Sequence, residues 1–187
     1  MSHLQTLTSL NDREHILISL EPRYAEGILD RTKLVEFRRR TMNVKADTTV
    51  WLYAKLPVGS IVGRATVRAN HNLTPSTLWR RFGSVSGLSR AEFANYFDGV
   101  SLGTVLELSH SHRLSSSFSL EALRSFQHKF QPPQFFSRLS VGSPVLAAVL
   151  GLECGGQTSL YSISTTAPLN EADAPNEMAL NLIADTG

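Results

Sequence analysis

Apolar and polar positions alternate most informatively between residues 16 and 40, ILISLEPRYAEGILDRTKLVEFRRR, where three elements follow one another without a long loop. Ile16, Leu17, Ile18 and Leu20 form an apolar run of strand length, stopped by Glu21-Pro22. Proline suits the first turn of a helix, where its missing N–H costs nothing. Tyr24, Ala25, Ile28 and Leu29 then recur at the spacing that lays one apolar stripe on a core, which predicts a helix of roughly ten residues. After Asp30-Arg31-Thr32, the segment KLVEFR from Lys33 to Arg38 alternates with the period of a half-buried strand. Alternation places Lys33 with Val35 and Glu36 with Arg38, so gathering the three charges requires a bulge or a strand end near Leu34.

Downstream, Thr41 to Asp47 reads as a loop and Thr48 to Ala54 (TTVWLYA) as a strand, through its β-branched and aromatic content. Lys55-Leu56-Pro57 ends it. Ser60 to Ala69 is the next strand, with Ile61, Gly63, Ala65 and Val67 pointing one way and Val62, Arg64, Thr66 and Arg68 the other, which gives it a basic outer face. Thr74-Pro75 opens a helix that carries Leu78, Trp79 and Phe82 and stops at Gly83. Ser89 opens another, with Glu92 three residues on completing a capping box and Phe93, Tyr96 and Phe97 as the apolar face. Leu102 to Leu108 is a strand, SHSHRLSSS a polar connection, and Ser119 to Phe126 a short helix. The two prolines of FQPPQFF force an extended, rigid link. Ser143-Pro144 to Leu152 is the last helix. These elements predict an α+β domain over 14–152, built on a small mixed or barrel-like sheet decorated by several helices, with 48–54 and 58–69 as a hairpin-like pair. Residues 1–13 are expected to fray, and 153–187 to form a mostly disordered acidic tail.

Composition narrows the class. With 187 residues, 42% of them apolar, the chain suits one well-packed domain plus a tail. It has no apolar run of about 18 residues and no charged start followed by an apolar core, so a membrane partner and a leader are not expected, and the cytoplasm is the expected location. Cys154 is alone, which leaves out an internal disulfide and a cysteine-based metal cage. The net charge of +2 conceals an asymmetry: all 18 Lys and Arg precede residue 140, together with 11 of the 16 acidic residues. A basic body is thus followed by an acidic tail. Basic excess suits a polyanionic partner, because each neutralised phosphate releases counterions; a solvated basic surface is the alternative.

His110 and His112 alternate and so share a face, but no local carboxylate or cysteine completes a zinc set, and no metal or other cofactor is expected. The arginines offer more. Arg38, Arg39 and Arg40 present charge on both faces of a strand end, and guanidinium groups grip phosphates bidentately and stack on bases. Tyr53 and Trp51 share a strand face and either could stack a base, with core packing as the alternative, favoured for Trp51. Arg80 and Arg81 either extend the basic surface or solvate a helix.

In this order and spacing, SLEPRYAEGILDRTKLVEFRRR, WLYAKLPVGSIVGRATV, GLSRAEFANYFDG and FQPPQFF resemble the ASCH domain of the PUA-like superfamily over roughly residues 14 to 150. The resemblance rests on the Lys33-x-x-Glu36-x-Arg38 element, the Tyr53-Ala54-x-x-Pro57 step and Val62-Gly63. It implies a small PUA-like β-barrel with helices, a cleft lined by the basic element, and a role in binding RNA or modified bases, with hydrolysis of acylated cytidine or cleavage of RNA among the family's activities. The amidohydrolase branch resembles this chain at Lys33, but its catalytic threonine falls on Glu36 and its catalytic glutamate near Ser86, with Glu92 nearby but out of register. Lys33 beside Glu36 reads as an ion pair rather than a nucleophile.

The expected function is therefore nucleic-acid binding in a basic cleft, of RNA in preference to DNA, with a modified base or nucleoside also among the expected ligands. Lys33, Glu36 and Arg38 would form the floor, Arg39, Arg40 and Arg64 would contact phosphates, and Tyr53 and Lys55 would border the site. The alternative is a hydrolase of modified nucleosides or a ribonuclease, with Lys33 and Glu36 as its catalytic groups. A third possibility is a regulatory module whose acidic tail covers the cleft or binds a protein partner.

Overall fold

A computed structural model describes residues 13–153. Six strands make one mixed sheet: β1 (His15–Leu20), β2 (Val35–Arg38), β3 (Thr49–Ala54), β4 (Ser60–Leu73), β5 (Gly103–Ser119) and β6 (Ser137–Arg138), in the spatial order β2-β5-β4-β3-β1-β6. β1 and β3 run parallel, and every other pair is antiparallel. Five helices surround it: α1 (Pro22–Leu29), α2 (Pro75–Phe82), α3 (Arg90–Tyr96), α4 (Leu120–Phe126) and α5 (Pro144–Glu153). The α+β class, the β3–β4 hairpin and all five helices were expected. No helix among the described residues is long and apolar enough to cross a membrane.

Alternation along the strands sorts the core into three clusters. Ile16, Ile18, Leu20, Val50, Leu52 and Ala54 face Ala25 and Ile28 of α1. Leu17, Trp51, Tyr53 and Ile61 face the opposite way, under Leu123 of α4 and Val145 and Val149 of α5. Val35 and Phe37 of β2 pack with Leu78, Phe82, Phe93 and Phe97 of α2 and α3. β2 is therefore buried on both sides, and Glu36 and Arg38 must point away from α2 and α3. Arg38 reaches from this edge strand to the carbonyls of Ser19 in β1 and Phe135 beside β6, at 3.3 and 3.0 Å. The sheet has curled until its two edges nearly meet, a half-barrel with Arg38 at the seam.

Gly63 sets the fit of α1 on that sheet. A Cβ there would lie 2.5 Å from Leu29 Cδ2 and 2.6 Å from the His112 carbonyl, so only glycine lets the helix and the two strands approach so closely.

Two expectations need correction. β4 runs to Leu73 rather than Ala69, and the polar SHSHRLSSS segment is strand rather than connection, because β5 continues to Ser119. β2 pairs only with residues 104–107 of β5, so the later half of β5 is an edge with an exposed, polar surface, and its sequence carries no apolar stripe to announce it. The β4–β5 register shifts three times and His110 takes a positive φ of 48°, the bulges that allow the sheet to curl.

Candidate nucleic-acid interface

The end of α1 delivers Lys33. The N–H groups of Thr32 and Lys33 both donate to the Gly27 carbonyl at 2.9 Å, folding the chain back, and Leu34 N–H donates to Val85 O at 2.8 Å before β2 begins. This strand end removes Lys33 from the β alternation, as gathering the three charges requires. Lys33 Nζ stands 3.2 Å from one Glu36 oxygen, and an Arg38 Nη stands 3.2 Å from the other. All three side chains are withdrawn from water, with 2%, 9% and 7% of their surface exposed. Lys33 also donates to the Ser86 carbonyl at 2.7 Å, while Arg38 Nε is buried without a partner.

This triad lies on a cleft of about 510 Å³ between β1, α1, β2 and α3. Tyr24 and Tyr96 line it, as do Lys55, Glu21 and Glu92 at its mouth and Gln134 of the proline-bearing link. Arg23 donates to the Tyr24 hydroxyl at 2.7 Å, and Lys33 Nζ sits 5.1 Å from the centre of the Tyr24 ring. The Tyr96 hydroxyl donates to Phe37 O at 3.3 Å. Burial raises the pKa of both tyrosines, so their hydroxyls remain donors at neutral pH. Glu92 completes the expected capping box with Ser89 and also pairs with Arg23 of α1. The Ser89 N–H, then the Arg23 guanidinium, hold its carboxyl down at about 2.

The lining differs from expectation in charge and in membership. Lys33, Arg38 and Lys55 face Glu21, Glu36 and Glu92, so the cleft is balanced rather than basic. Lys55 is tied to Glu21 at 3.0 Å. Tyr53 is not at the cleft: β3 turns Trp51 and Tyr53 to the outer face under α4 and α5, where both are buried. Arg64 stands opposite Trp51 in the β3–β4 register and so shares that outer face. Arg39 and Arg40 follow β2 outside the cleft, exposed, with Arg39 donating to Asp98 O at 2.9 Å. Tyr24 and Tyr96 supply the aromatic planes instead. Sequence periodicity had assigned both to the core, and their one signal is a polar-tipped ring at the end of an apolar stripe.

The position matched to a catalytic glutamate is occupied near the site, but by Ser86, whose hydroxyl donates to Gly83 O at 2.8 Å. His110 and His112 do not line the cleft, and among the described residues no three His, Cys, Asp or Glu side chains converge as a metal site.

No protein-family model matches the chain. It is similar to an ASCH domain-containing ribonuclease of Zymomonas mobilis, 35% identical over 128 residues that cover 68% of this chain and 86% of that relative. The crystal structure of ASCH from Zymomonas mobilis superposes with a TM-score of 0.69 at 32% identity, covering 74% of this chain and 96% of the other. A serine-to-alanine variant of that protein gives a TM-score of 0.70 at 32% identity, covering 75% and 97%.

Proposed function

The chain belongs to the ASCH-domain family, and on that premise we propose that it is a cytoplasmic nucleic-acid-binding protein whose cleft receives one base of an RNA strand or a modified nucleoside. The buried Lys33–Glu36–Arg38 array opening onto a cleft of about 510 Å³ carries this reading. Withdrawing such charges from water costs several kcal/mol per ion, more than a purely structural pair ordinarily returns, and a pocket lined by convergent polar groups is the usual ligand site. Its balanced charge suits a neutral heterocycle better than a phosphate. Glu36 accepts from an exocyclic amino group, Lys33 and Arg38 donate to a carbonyl or ring nitrogen, and Tyr24 and Tyr96 stack.

Binding of single-stranded RNA, DNA and nucleosides, acylated cytidine among them, tests this. Tyr24→Ala and Tyr96→Ala should each weaken RNA binding about tenfold, the effect of losing one stacked base. Full affinity in both variants would remove the cleft from the interface.

The name of the Zymomonas mobilis relative supports a second reading, in which bound RNA is cleaved. Lys33 and Arg38 are then the cations available to a phosphorane. Lys33→Met keeps the Glu36–Arg38 pair and should abolish cleavage while the protein still unfolds cooperatively; persistent cleavage excludes Lys33. Of the acidic segment 153–187, Glu153 closes α5 and 154–187 lie outside the described residues; in a third reading the segment competes with nucleic acid, or recruits a protein partner.

A further inference from the structure

A neutral cleft leaves unanswered where the phosphates go. A second concavity, of about 580 Å³, adjoins the first: Leu88 lines both, and Gly87 on its wall sits over the aliphatic chain of Lys33, 3.5 Å from Lys33 Cβ measured from the Cβ position of residue 87. Its lining holds Arg80 and Arg90, the hydroxyls of Thr32 and Ser84, and no carboxylate. Both arginines are exposed, and neither is ion-paired among the described residues. Every other strongly placed cation near the cleft is spoken for: Lys33, Arg38, Lys55 and Arg23 each meet a glutamate.

Arg90 is also held in place. Its guanidinium lies over the Trp79 indole, 5.1 Å from the ring centre. The indole is fixed from beneath by Gly83, whose Cβ position lies 2.8–2.9 Å from three indole carbons, and from the side by Phe93 at 5.0 Å between ring centres. A guanidinium stacked on a ring keeps its N–H edge free for a bidentate acceptor.

We propose that this concavity is a phosphate subsite: Arg80 and Arg90 take the phosphodiester next to the nucleotide whose base occupies the cleft. The protein then reads RNA as a unit of base plus neighbouring phosphate, with recognition in one hollow and electrostatic grip in the other. The inference rests on the cleft reading given above.

Binding of a labelled ten-nucleotide single-stranded RNA by the full chain, measured across a salt series, tests it. Arg80→Ala with Arg90→Ala should weaken RNA binding about tenfold and flatten the dependence of log affinity on log salt by about one unit. Affinity for the phosphate-free nucleoside should be unchanged. Arg81→Ala, whose guanidinium lies over Phe82 outside this lining, should alter neither. An unaltered salt slope in the double variant overturns the subsite, as does an equal loss of nucleoside binding, which would mean a deformed cleft. RNA binding that is lost in Tyr24→Ala but indifferent to the arginines sinks the subsite alone; no RNA binding by the unmodified protein sinks both readings.

Discussion

Glu36 stands between two buried cations, and its position decides whether either is tolerable there. Without its carboxylate, Lys33 would retain the Ser86 carbonyl and Arg38 the carbonyls of Ser19 and Phe135, but two buried charges would lack a counter-ion. Glu36→Gln should therefore destabilise the domain by about 3–5 kcal/mol, read from chemical denaturation, because a half-broken buried pair leaves uncompensated charge. A loss below about 1 kcal/mol would mean the triad is hydrated in solution. This array was legible in the sequence, since a lysine just ahead of an alternating Glu-x-Arg strand can join them only at a strand end. Tyr53 and Arg64 were not. Which face of β3 and β4 opens toward the cleft depends on the curl of the sheet and on α4 and α5 covering the other side, and no local pattern encodes that.

Among the elements, α3 has its start tied to the cleft and to α1 at once. Glu92 serves twice, closing the capping box with Ser89 and gripping Arg23 across the mouth on α1. Its folded-state pKa of about 2 lies below the ordinary 4.5. The depressed value means that its contribution to stability is complete above pH 4.5 and is lost as pH falls toward 2. The stability gap between the parent protein and Glu92→Gln should thus close over that window, as followed by denaturation midpoints at descending pH. A gap independent of pH would show that the charge of Glu92 contributes nothing. The capping box was readable because its Ser-x-x-Glu spacing is local. The second half of β5 was not, because an edge strand that buries little beyond Leu114 and part of Phe118 reads as a loop.

Across the whole molecule, charge is divided more sharply than any single site suggests: the basic side chains all precede residue 140, and five carboxylates follow it with no base among them. Removing residues after 155 keeps α5 intact and, if the acidic segment competes for the arginines, should raise RNA affinity and steepen its salt dependence. Equal affinity with and without the segment would argue against such competition. The architecture as a whole followed from alternation and caps; the meeting of the sheet edges at Arg38 emerged only in three dimensions. Gly63 carries a last consequence. It is the fulcrum on which the C-terminal end of α1 rests, while Tyr24 rides near the opposite end of the same short rod. A methyl group at this seat would press on Leu29 and on the β5 backbone at His112, so that the helix must shift at that end and carry the tyrosine with it, a disturbance of recognition from beneath the helix by a change that touches no ligand at all.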